Sequence, residues 1–314
     1  MAEIWTMGEM LCEIMRSKVG VQLYDTDVFC GPFPSGAPAI FIDTVAQLGH
    51  SAGIIGGVGE DDFGRCLLDR LNRDGVDTSH VLRSDAGATG VAFVTYFEDG
   101  SRKFLYHFAN TPATSAKAPE NTGMFIDAKY FHIMGCSLMA SEGFGHEILK
   151  AMQLARSAGA KVSFDPNIRP ELMKDRGCMA LIREVMTVCS VFEPGVAELL
   201  TVSAKKTVEE AVEACFQNPA LEIIALKDGS RGCTIYTREK SVSFGVYPAQ
   251  VLDATGAGDC FDGAFLCALL EDCDIEDAAR IASAAASLNT AAFGPMEGNI
   301  SKETISEKMS EAMV

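Results

Sequence analysis

The 314-residue sequence has few basic side chains: 26 lysines and arginines stand against 43 aspartates and glutamates, which gives a formal net charge of −17. Nucleic acid and anionic membrane surfaces are bound by clustered cations. The shortage of basic side chains therefore argues against nucleic acid and anionic membranes as partners. A small anionic ligand is still allowed, because backbone N–H groups hold phosphate without basic side chains.

The sequence also lacks the signs of secretion, membrane insertion and metal binding by cysteine. No apolar run reaches the roughly 18 residues of a membrane-spanning helix. The segment Met1–Thr6 has neither the basic stretch nor the apolar core of a signal peptide. None of the eleven cysteines is spaced as C-x-x-C, which disfavours a zinc or redox motif. We expect a cytoplasmic protein with reduced, buried cysteines.

Short apolar runs alternate with helical patterns through most of the chain. Ile54–Gly56 is followed by apolar residues at helical spacing over 63–71, and Ile223–Leu226 follows a helical stretch over 208–216. Regular alternation of strand and helix predicts an α/β fold: a doubly wound, mostly parallel sheet with helices on both faces. We expect residues 1–314 to form one such domain.

Two stretches interrupt this alternation, and both are rich in β-forming residues. The first covers about residues 10–34. The second, about 88–112, contains two β-rich runs, 91–97 and 102–108, joined by the turn sequence Glu98–Ser101. Extended segments that leave a doubly wound body and return to it predict a small β lid, discontinuous in sequence.

The segment Asp253–Phe261, of sequence DATGAGDCF, combines small residues with the beginning of a helix. A small-residue turn at a helix N-terminus offers unpaired N–H groups and the positive end of the helix dipole. We call Gly256–Gly258 the anion cradle for this reason. The segment lacks the Gly-Lys-Ser/Thr end of a Walker loop, and Phe261 replaces the third glycine of a dinucleotide fingerprint, which disfavours a dinucleotide-dependent oxidoreductase.

Asp259 directly follows the cradle, where a carboxylate next to a bound phosphate would be repelled. Its presence makes sense if it accepts the proton of a hydroxyl that attacks the phosphate, which is general base catalysis. Helix capping is the alternative role of an acidic residue here. We favour the base, because Asp253 precedes it and a buried helix follows.

With these motifs, the chain resembles the ribokinase-like (PfkB) family of carbohydrate kinases. The family's second signature, D-T-x-G-A-G-D, is met by Asp253–Asp259 with alanine and threonine in the middle positions. Its first signature, Gly-Gly-Ala-x-x-Asn, is met in part by Ser35–Ile40. Three more blocks are similar to the family and follow its order: 56–64, 165–169 and 227–232. The resemblance therefore spans nearly the whole chain.

The resemblance implies an ATP-dependent kinase that phosphorylates a sugar hydroxyl, with Mg²⁺ neutralising phosphate charge. It also allows a monovalent cation such as K⁺. The implied catalytic residues are Asp259, Gly256, Ala257 and Gly258. The implied nucleotide-binding residues are Thr255, Asn167, Arg169, Lys227, Gly229, Gly232 and Asn289. The implied sugar-binding residues are Glu13, Gly36, Ala37, Tyr106, His107, Arg169 and Asp259.

Some of these residues have simpler roles that the sequence leaves open. Tyr106 and His107 alternate on one predicted strand, so at most one of them faces the sugar. Packing is the ordinary role of a lone histidine. Lys227 begins a segment that also fits a hairpin turn. Arg169 follows a predicted strand and suits either a phosphate or an acidic group of the sugar.

The chain departs from the family pattern at the sugar and metal contacts. Ile40 stands where many members have an asparagine, and Glu13 is longer than the usual aspartate. The metal-linked Asn-x-x-Glu motif is degraded at Glu193–Val196, with Glu198 two residues later. The metal ligands are therefore left unassigned.

Within the family, Gly8-Glu9, Gly36–Pro38 and Asp165–Arg169 resemble the fructokinase and 2-keto-3-deoxygluconate kinase branch, and Gly31–Pro38 is most similar to tagatose or other ketohexose kinases. The resemblance thus predicts transfer to a primary hydroxyl of a ketohexose such as tagatose or fructose. The alternative acceptor is 2-keto-3-deoxygluconate. The alternative of another class is a non-catalytic sugar- or nucleotide-binding regulator on the same fold. A homodimer through the lid is the assembly that the resemblance allows.

Overall fold

The computed structural model describes residues 1–172 and 177–314. Its strands are β1 (Ile4–Met7), β2 (Leu11–Arg16), β3 (Phe29–Ser35), β4 (Ala52–Gly59), β5 (Val81–Ser84), β6 (Gly90–Tyr96), β7 (Arg102–His107), β8 (Tyr130–Met134), β9 (Lys161–Asp165), β10 (Cys189–Phe192), β11 (Ile223–Lys227), β12 (Cys233–Tyr236) and β13 (Ser241–Phe244). Its helices are α1 (Ala37–Gln47), α2 (Asp62–Arg73), α3 (Gly135–Ala140), α4 (Glu142–Ser157), α5 (Cys178–Met186), α6 (Val196–Ser203), α7 (Val208–Cys215), α8 (Ala257–Leu270), α9 (Ile275–Thr290) and α10 (Lys302–Met309). Within these two ranges, no helix is long and apolar enough to cross a membrane.

A nine-stranded sheet with the order β13-β12-β11-β10-β9-β8-β1-β4-β5 forms the body. The strands from β11 to β5 in this order are parallel, and β12 and β13 add antiparallel strands at one edge. The chain starts at β1, builds outward through β4 and β5, and later continues on the other side of β1 from β8. Such sheets bind ligands beside the carboxyl ends of the strands where the order reverses. In this sheet that place lies at the ends of β1 and β8.

Helices cover both faces of this sheet, because parallel strands bury both of their faces. Successive residues of β1 show it: Ile4 belongs to a core shared with α1, α8 and α9, and Trp5 belongs to a core shared with α4 and α5. Ile54 and Ile55 of β4 alternate in the same way. The predicted doubly wound α/β fold is confirmed.

Four strands form a second, smaller sheet with the order β3-β2-β6-β7, which we call the lid. They come from the two stretches that interrupt the strand-helix alternation of the sequence. β2 pairs with β6 in parallel, although α1, β4, α2 and β5 lie between them in the chain. β6 and β7 form the hairpin predicted around Glu98–Ser101. The predicted discontinuous β lid is therefore present.

Candidate active site

A cleft of about 270 Å³ lies between the lid and the carboxyl ends of the body strands. Five strands, β1 and β8 to β11, each contribute a residue at or just beyond their ends: Glu9, Cys136, Asp165, Gly195 and Lys227. The lid contributes Leu11, Glu13, Ser35, Arg102, Phe104 and Tyr106. Other walls come from the start of α1, the residues after β9, and the cradle segment. The cleft thus lies where a doubly wound sheet binds its ligand.

The anion cradle begins the helix α8. Gly256, just before α8, has a φ of 82°, and a Cβ there would collide with the carbonyl oxygen of Pro295. Only glycine fits this position. Gly258 lines the cleft, and the nearest neighbour of a Cβ on it would be the ammonium of Lys227, at 3.7 Å. The space beside Gly258 is thus open to an anion at the positive end of α8.

Buried hydrogen bonds fix the turn before the cradle. The backbone N–H and the hydroxyl of Thr255 both donate to Oδ1 of Asp253, at 2.9 and 2.7 Å. Asn289 donates from Nδ2 to the carbonyl of Thr255 at 2.7 Å and is fully buried. The structure therefore corrects the prediction that Asn289 contacts the nucleotide: its amide is enclosed in the protein and holds the Thr255 turn.

Asp259 lies in the first turn of α8, lines the cleft and is only 6% exposed. Asn167 donates from Nδ2 to Oδ1 of Asp259 at 3.0 Å. The cap position of α8 belongs to Gly256, so Asp259 is not the helix cap. Burial raises the pKa of Asp259 to about 7, and the negative charge of Asp165 adds to the rise, while nearby cations oppose it. A cleft carboxylate that titrates near neutral pH is suited to general base catalysis.

The pH dependence of turnover follows from this pKa. A base works only when deprotonated, so we expect kcat/KM to fall about tenfold or more per pH unit below about pH 7 and to level off above it. Glu13, whose pKa burial raises to about 7, titrates in the same range and adds to the fall. Steady-state kinetics across the neutral range measures this acid limb. A rate that stays flat well below neutral pH would contradict a base with this pKa.

Glu13 is the acidic residue of the lid that lines the cleft. Its Oε1 accepts a hydrogen bond from the hydroxyl of Ser35 at 2.7 Å, and its buried Oε2 has no partner among the residues that the structure describes. A buried unpaired oxygen is costly unless a ligand pairs with it, so Glu13 is ready to bind a ligand hydroxyl. Gly36, Ala37 and Ile40 of the α1 region complete this wall, the last with an apolar side chain.

The strand β7 faces the cleft with one side only. Phe104 and Tyr106 line the cleft, whereas Lys103, Leu105 and His107 alternate with them and are exposed. The structure therefore corrects the prediction that His107 contacts the sugar. Its side chain lies on the outer face of the lid, because neighbouring residues of a strand point to opposite sides.

Tyr106→Ala and His107→Ala form a matched pair on the two faces of β7. We expect Tyr106→Ala to raise the KM for the sugar that the resemblance implies about tenfold, because the substitution opens a wall of the cleft. We expect His107→Ala to leave kcat and KM within about twofold of the wild type, since exposed positions contribute little. Steady-state kinetics of both variants measures this. Equal effects of the two would contradict the assigned orientation of β7.

The residues that are predicted to bind the nucleotide do not all line the cleft. Lys227 and Gly229 line the cleft, but Nζ of Lys227 is held by Asp262 at 2.7 Å and by Asp165 at 3.0 Å. Lys227 is also the last residue of β11, and β11 forms an antiparallel hairpin with β12. Gly232 does not line the cleft, and its nucleotide contact stays a prediction. A Cβ on Gly232 would collide with the backbone of β13, so glycine serves the hairpin there.

The structure changes the register of the degraded Asn-x-x-Glu motif. Glu198 lines the cleft together with Gly195, whereas Glu193 is a fully buried residue just after β10. The two carboxylate oxygens of Glu198 accept the N–H groups of Ile168 and Gly195, each at 2.7 Å. The motif is therefore matched at Gly195–Glu198, with glycine in the place of asparagine.

Sequence reasoning missed Asp165, Glu9 and Arg102 as cleft residues. The sequence does contain a signal for Asp165 and Glu9. Both are acidic residues at or after the ends of buried strands, and those ends meet at one edge of the sheet. There is no such signal for Arg102. It donates from Nη1 to the hydroxyl of Thr255 at 2.7 Å, and the two residues lie far apart in the chain.

The arrangement defines a class of enzyme. Phosphoryl transfer depends on alignment of the reacting groups and on neutralisation of charge, with little covalent chemistry for the protein to perform. A base near neutral pKa beside an anion cradle, opposite a polar wall for a hydroxyl-bearing ligand, meets both needs. The fold and the cleft together are those of a phosphotransferase.

Comparison with known proteins narrows this class. Residues 33–302 match the family model "pfkB family carbohydrate kinase". The chain is 32% identical over 282 residues to probable fructokinase-3 of Arabidopsis thaliana, covering 88% of this chain and 81% of that one. It is 34% identical over 270 residues to fructokinase-1 of Oryza sativa subsp. japonica, covering 85% and 83%. A putative ribokinase II from E. coli, solved in complex with ATP and Mg²⁺, matches with a TM-score of 0.93 at 34% identity over 99% of both chains. The chain belongs to the pfkB family of carbohydrate kinases and is an ATP-dependent sugar kinase of the fructokinase type.

Proposed function

We propose that the protein transfers the γ-phosphoryl group of ATP to a primary hydroxyl of a ketohexose such as tagatose or fructose. The observation that carries the proposal is the position of Asp259, which is buried beside the anion cradle in a cleft shared with Glu13. The fructokinase names of the relatives support a ketohexose acceptor.

Each group of the cleft has a part in this reaction. Glu13 and Tyr106 hold the sugar between the lid and α1. Asn167 occupies Oδ1 of Asp259 at 3.0 Å, which leaves Oδ2 to accept the proton of the attacking hydroxyl. The N–H groups of Gly256–Gly258, at the N-terminus of α8, stabilise the negative charge of the transferring group.

The residues present fit a nucleotide phosphate and a magnesium ion that is bound with it. The open space beside Gly258 accepts a phosphate. In the two described ranges, no group of three or more histidine, cysteine, aspartate or glutamate side chains could hold a metal ion. Mg²⁺ is usually held by phosphates, waters and one or two carboxylates. The ion supplies neutralisation of phosphate charge when bound.

One observation favours 2-keto-3-deoxygluconate as the second candidate acceptor. Arg169 lines the cleft, and no hydrogen bond or ion pair within residues 1–172 and 177–314 holds its guanidinium. A guanidinium binds a carboxylate through two parallel hydrogen bonds. The keto acid carries a carboxylate, and a ketohexose does not.

An ADP-release assay over fructose, tagatose, 2-keto-3-deoxygluconate, ribose and adenosine, with and without K⁺, tests the proposal. We expect the highest kcat/KM for a ketohexose. The variant Arg169→Met separates the two acceptors, because loss of turnover restricted to the keto acid identifies Arg169 as its carboxylate partner. A preference for the keto acid would overturn the ketohexose proposal. Binding without turnover of any of the five would favour the non-catalytic regulator.

We further propose a homodimer formed through the lid. Ile14, Phe93 and Leu105 lie opposite one another across β2, β6 and β7 and form an apolar row, in which Leu105 is 47% exposed. A second copy of this chain offers the same row, as a two-fold interface requires. We expect a dimer for the wild type and a monomer for Leu105→Lys in size-exclusion chromatography. A monomeric wild type would overturn the assembly.

A further inference from the structure

Along one wall of the cleft, a chain of largely buried polar side chains connects Asp259 to the end of β11. Asn167 donates from Nδ2 to Oδ1 of Asp259 at 3.0 Å, and its backbone N–H donates to Oδ1 of Asp165 at 2.9 Å. Nζ of Lys227 donates to Oδ2 of Asp165 at 3.0 Å and to the two oxygens of Asp262 at 2.7 and 2.8 Å. Lys227, at 15% side-chain exposure, is the most accessible of the five.

Asn167 depends on this support because of its backbone conformation. Its φ of 38° is positive, in a region that residues other than glycine seldom adopt. The bond from its backbone N–H to Asp165 stabilises the turn in which its amide reaches Asp259. Asp165 is in turn fixed by Lys227. Lys227 therefore acts on Asp259 through two intervening side chains.

We propose that Asp165 and Lys227 are positioning residues of the kinase reaction, which hold Asn167 against the base and set the charge that Asp259 experiences. This proposal rests on the proposed role of Asp259. It differs from the resemblance, which places Lys227 at the nucleotide. An ammonium has three N–H donors, and the carboxylates of Asp165 and Asp262 already engage this one.

Asp165 and Lys227 shift the pKa of Asp259 in opposite directions. The negative charge of Asp165 raises the pKa of Asp259, whereas the ammonium of Lys227 lowers it. Burial alone would raise the pKa of Asp165, but Lys227 brings it below its usual value, so Asp165 is charged at neutral pH. The lid, the residues after β9, α3 and α8 itself present further charged or titratable groups near Asp259: Arg102, Arg169, Cys136 and Asp262. Two more carboxyl groups near Lys227 come from Glu193 and Glu198.

The test measures the acid limb of the pH profile of kcat/KM in three variants. Lys227→Met removes the cation that lowers the pKa of both Asp259 and Asp165, so the two carboxyl groups titrate together at higher pH, and we expect the limb to move up by about one pH unit. Asp165→Asn keeps the shape and an acceptor oxygen for the N–H of Asn167 but removes the charge, so we expect the limb to move down by about as much. In the double variant both charges are absent, and we expect the limb to lie between those of the two single variants.

Asp43→Asn is the matched control for loss of a buried ion pair. Asp43 accepts a hydrogen bond from Arg70 at 2.9 Å and does not line the cleft. We expect it to lower the Tm without moving the limb. Glu13, the other cleft residue with a pKa of about 7, has neither Asp165 nor Lys227 among the charges that shift it, so a moved limb reports Asp259.

Opposite shifts in the two single variants support the proposal. A limb that stays in place in Lys227→Met and Asp165→Asn, with only the Tm lowered, shows a purely structural ion pair and overturns it. If Lys227→Met does not fold, the isosteric Asp165→Asn decides alone, and an unmoved limb overturns the proposal. Absence of turnover in the wild type overturns the proposed function together with this proposal, whereas wild-type turnover with unmoved limbs overturns this proposal only.

Discussion

Asp259→Asn is expected to lower kcat by about 10²–10⁴-fold, while ATP binding stays largely intact. Asparagine keeps the size of the side chain. It also keeps an oxygen that can accept the hydrogen bond from Asn167, which is 3.0 Å long in the wild type. It cannot take the proton of the attacking hydroxyl. Steady-state kinetics at saturating sugar measures the loss, and calorimetric titration with ATP measures the retained binding.

The same substitution is expected to raise thermal stability at alkaline pH. Burial holds the pKa of Asp259 at about 7 in the folded protein, above its ordinary value of 3.8. The stability that its protonated form contributes is therefore lost as the pH rises through this interval. Asparagine stays neutral, so we expect the Tm of the variant to exceed that of the wild type at about pH 8, and the gap to narrow as the pH falls and to close below the ordinary value of 3.8.

Asp277→Asn is the matched control, because Asp277 is also the third residue of a helix, α9, and its side chain is exposed. We expect it to leave kcat within about twofold. Near-normal turnover of Asp259→Asn, or similar losses of turnover in both variants, would contradict the assignment of Asp259 as the base.

Gly258→Val is expected to remove most turnover in a protein that still folds. The nearest neighbour of a Cβ at this position is the ammonium of Lys227, at 3.7 Å, and the backbone is not in the left-handed region, so the body accepts the side chain. Its methyl groups fill the space beside the N-terminal N–H groups of α8. By analogy with loss of a single oxyanion donor, we expect kcat/KM for ATP to fall by about 10²–10³-fold.

Gly143→Val is the control for this prediction. Gly143 is likewise the second residue of a helix, α4, and a Cβ on it would have no neighbour within 4 Å. We expect both variants to melt close to the wild type, with only Gly258→Val losing activity. Circular dichroism and the kinase assay together measure this. Full activity of Gly258→Val would show that the phosphate does not approach the cradle.

The parts of the site that could be predicted from the sequence are those that depend on local order. The cradle and Asp259 form one helical turn, so their spacing in the chain already fixes how they meet. The doubly wound sheet followed from alternation of strand and helix, because each unit is short and packs on its neighbour. Glu13 could be placed through the resemblance alone, and its role in binding the sugar stays a prediction.

The errors concern the direction of side chains and contacts between distant segments. His107 and Tyr106 are neighbours in sequence, and only the packing of the lid decides which of them faces the cleft. Asn289 lies on a predicted helix, but its contact with Thr255 depends on how α9 packs beside α8. The degraded motif lies two residues later than predicted, because neither Glu193 nor Gly195 is an asparagine and only the contacts of Glu198 decide the register. Tertiary packing, which a single sequence does not display, settled each case.

The proposed acceptor contacts and the proposed transfer groups lie in two different parts of the fold, which makes them targets for separate engineering. Glu13 and Tyr106 belong to the lid, whereas Asp259 and the cradle belong to α8. The hydrogen bond between Arg102 and Thr255 is one direct link between the two parts. Under the proposed roles of Glu13 and Tyr106, a chimera that takes lid strands from a relative, but keeps Arg102, is expected to change the preference among acceptors and to leave the proposed transfer groups of this chain in place.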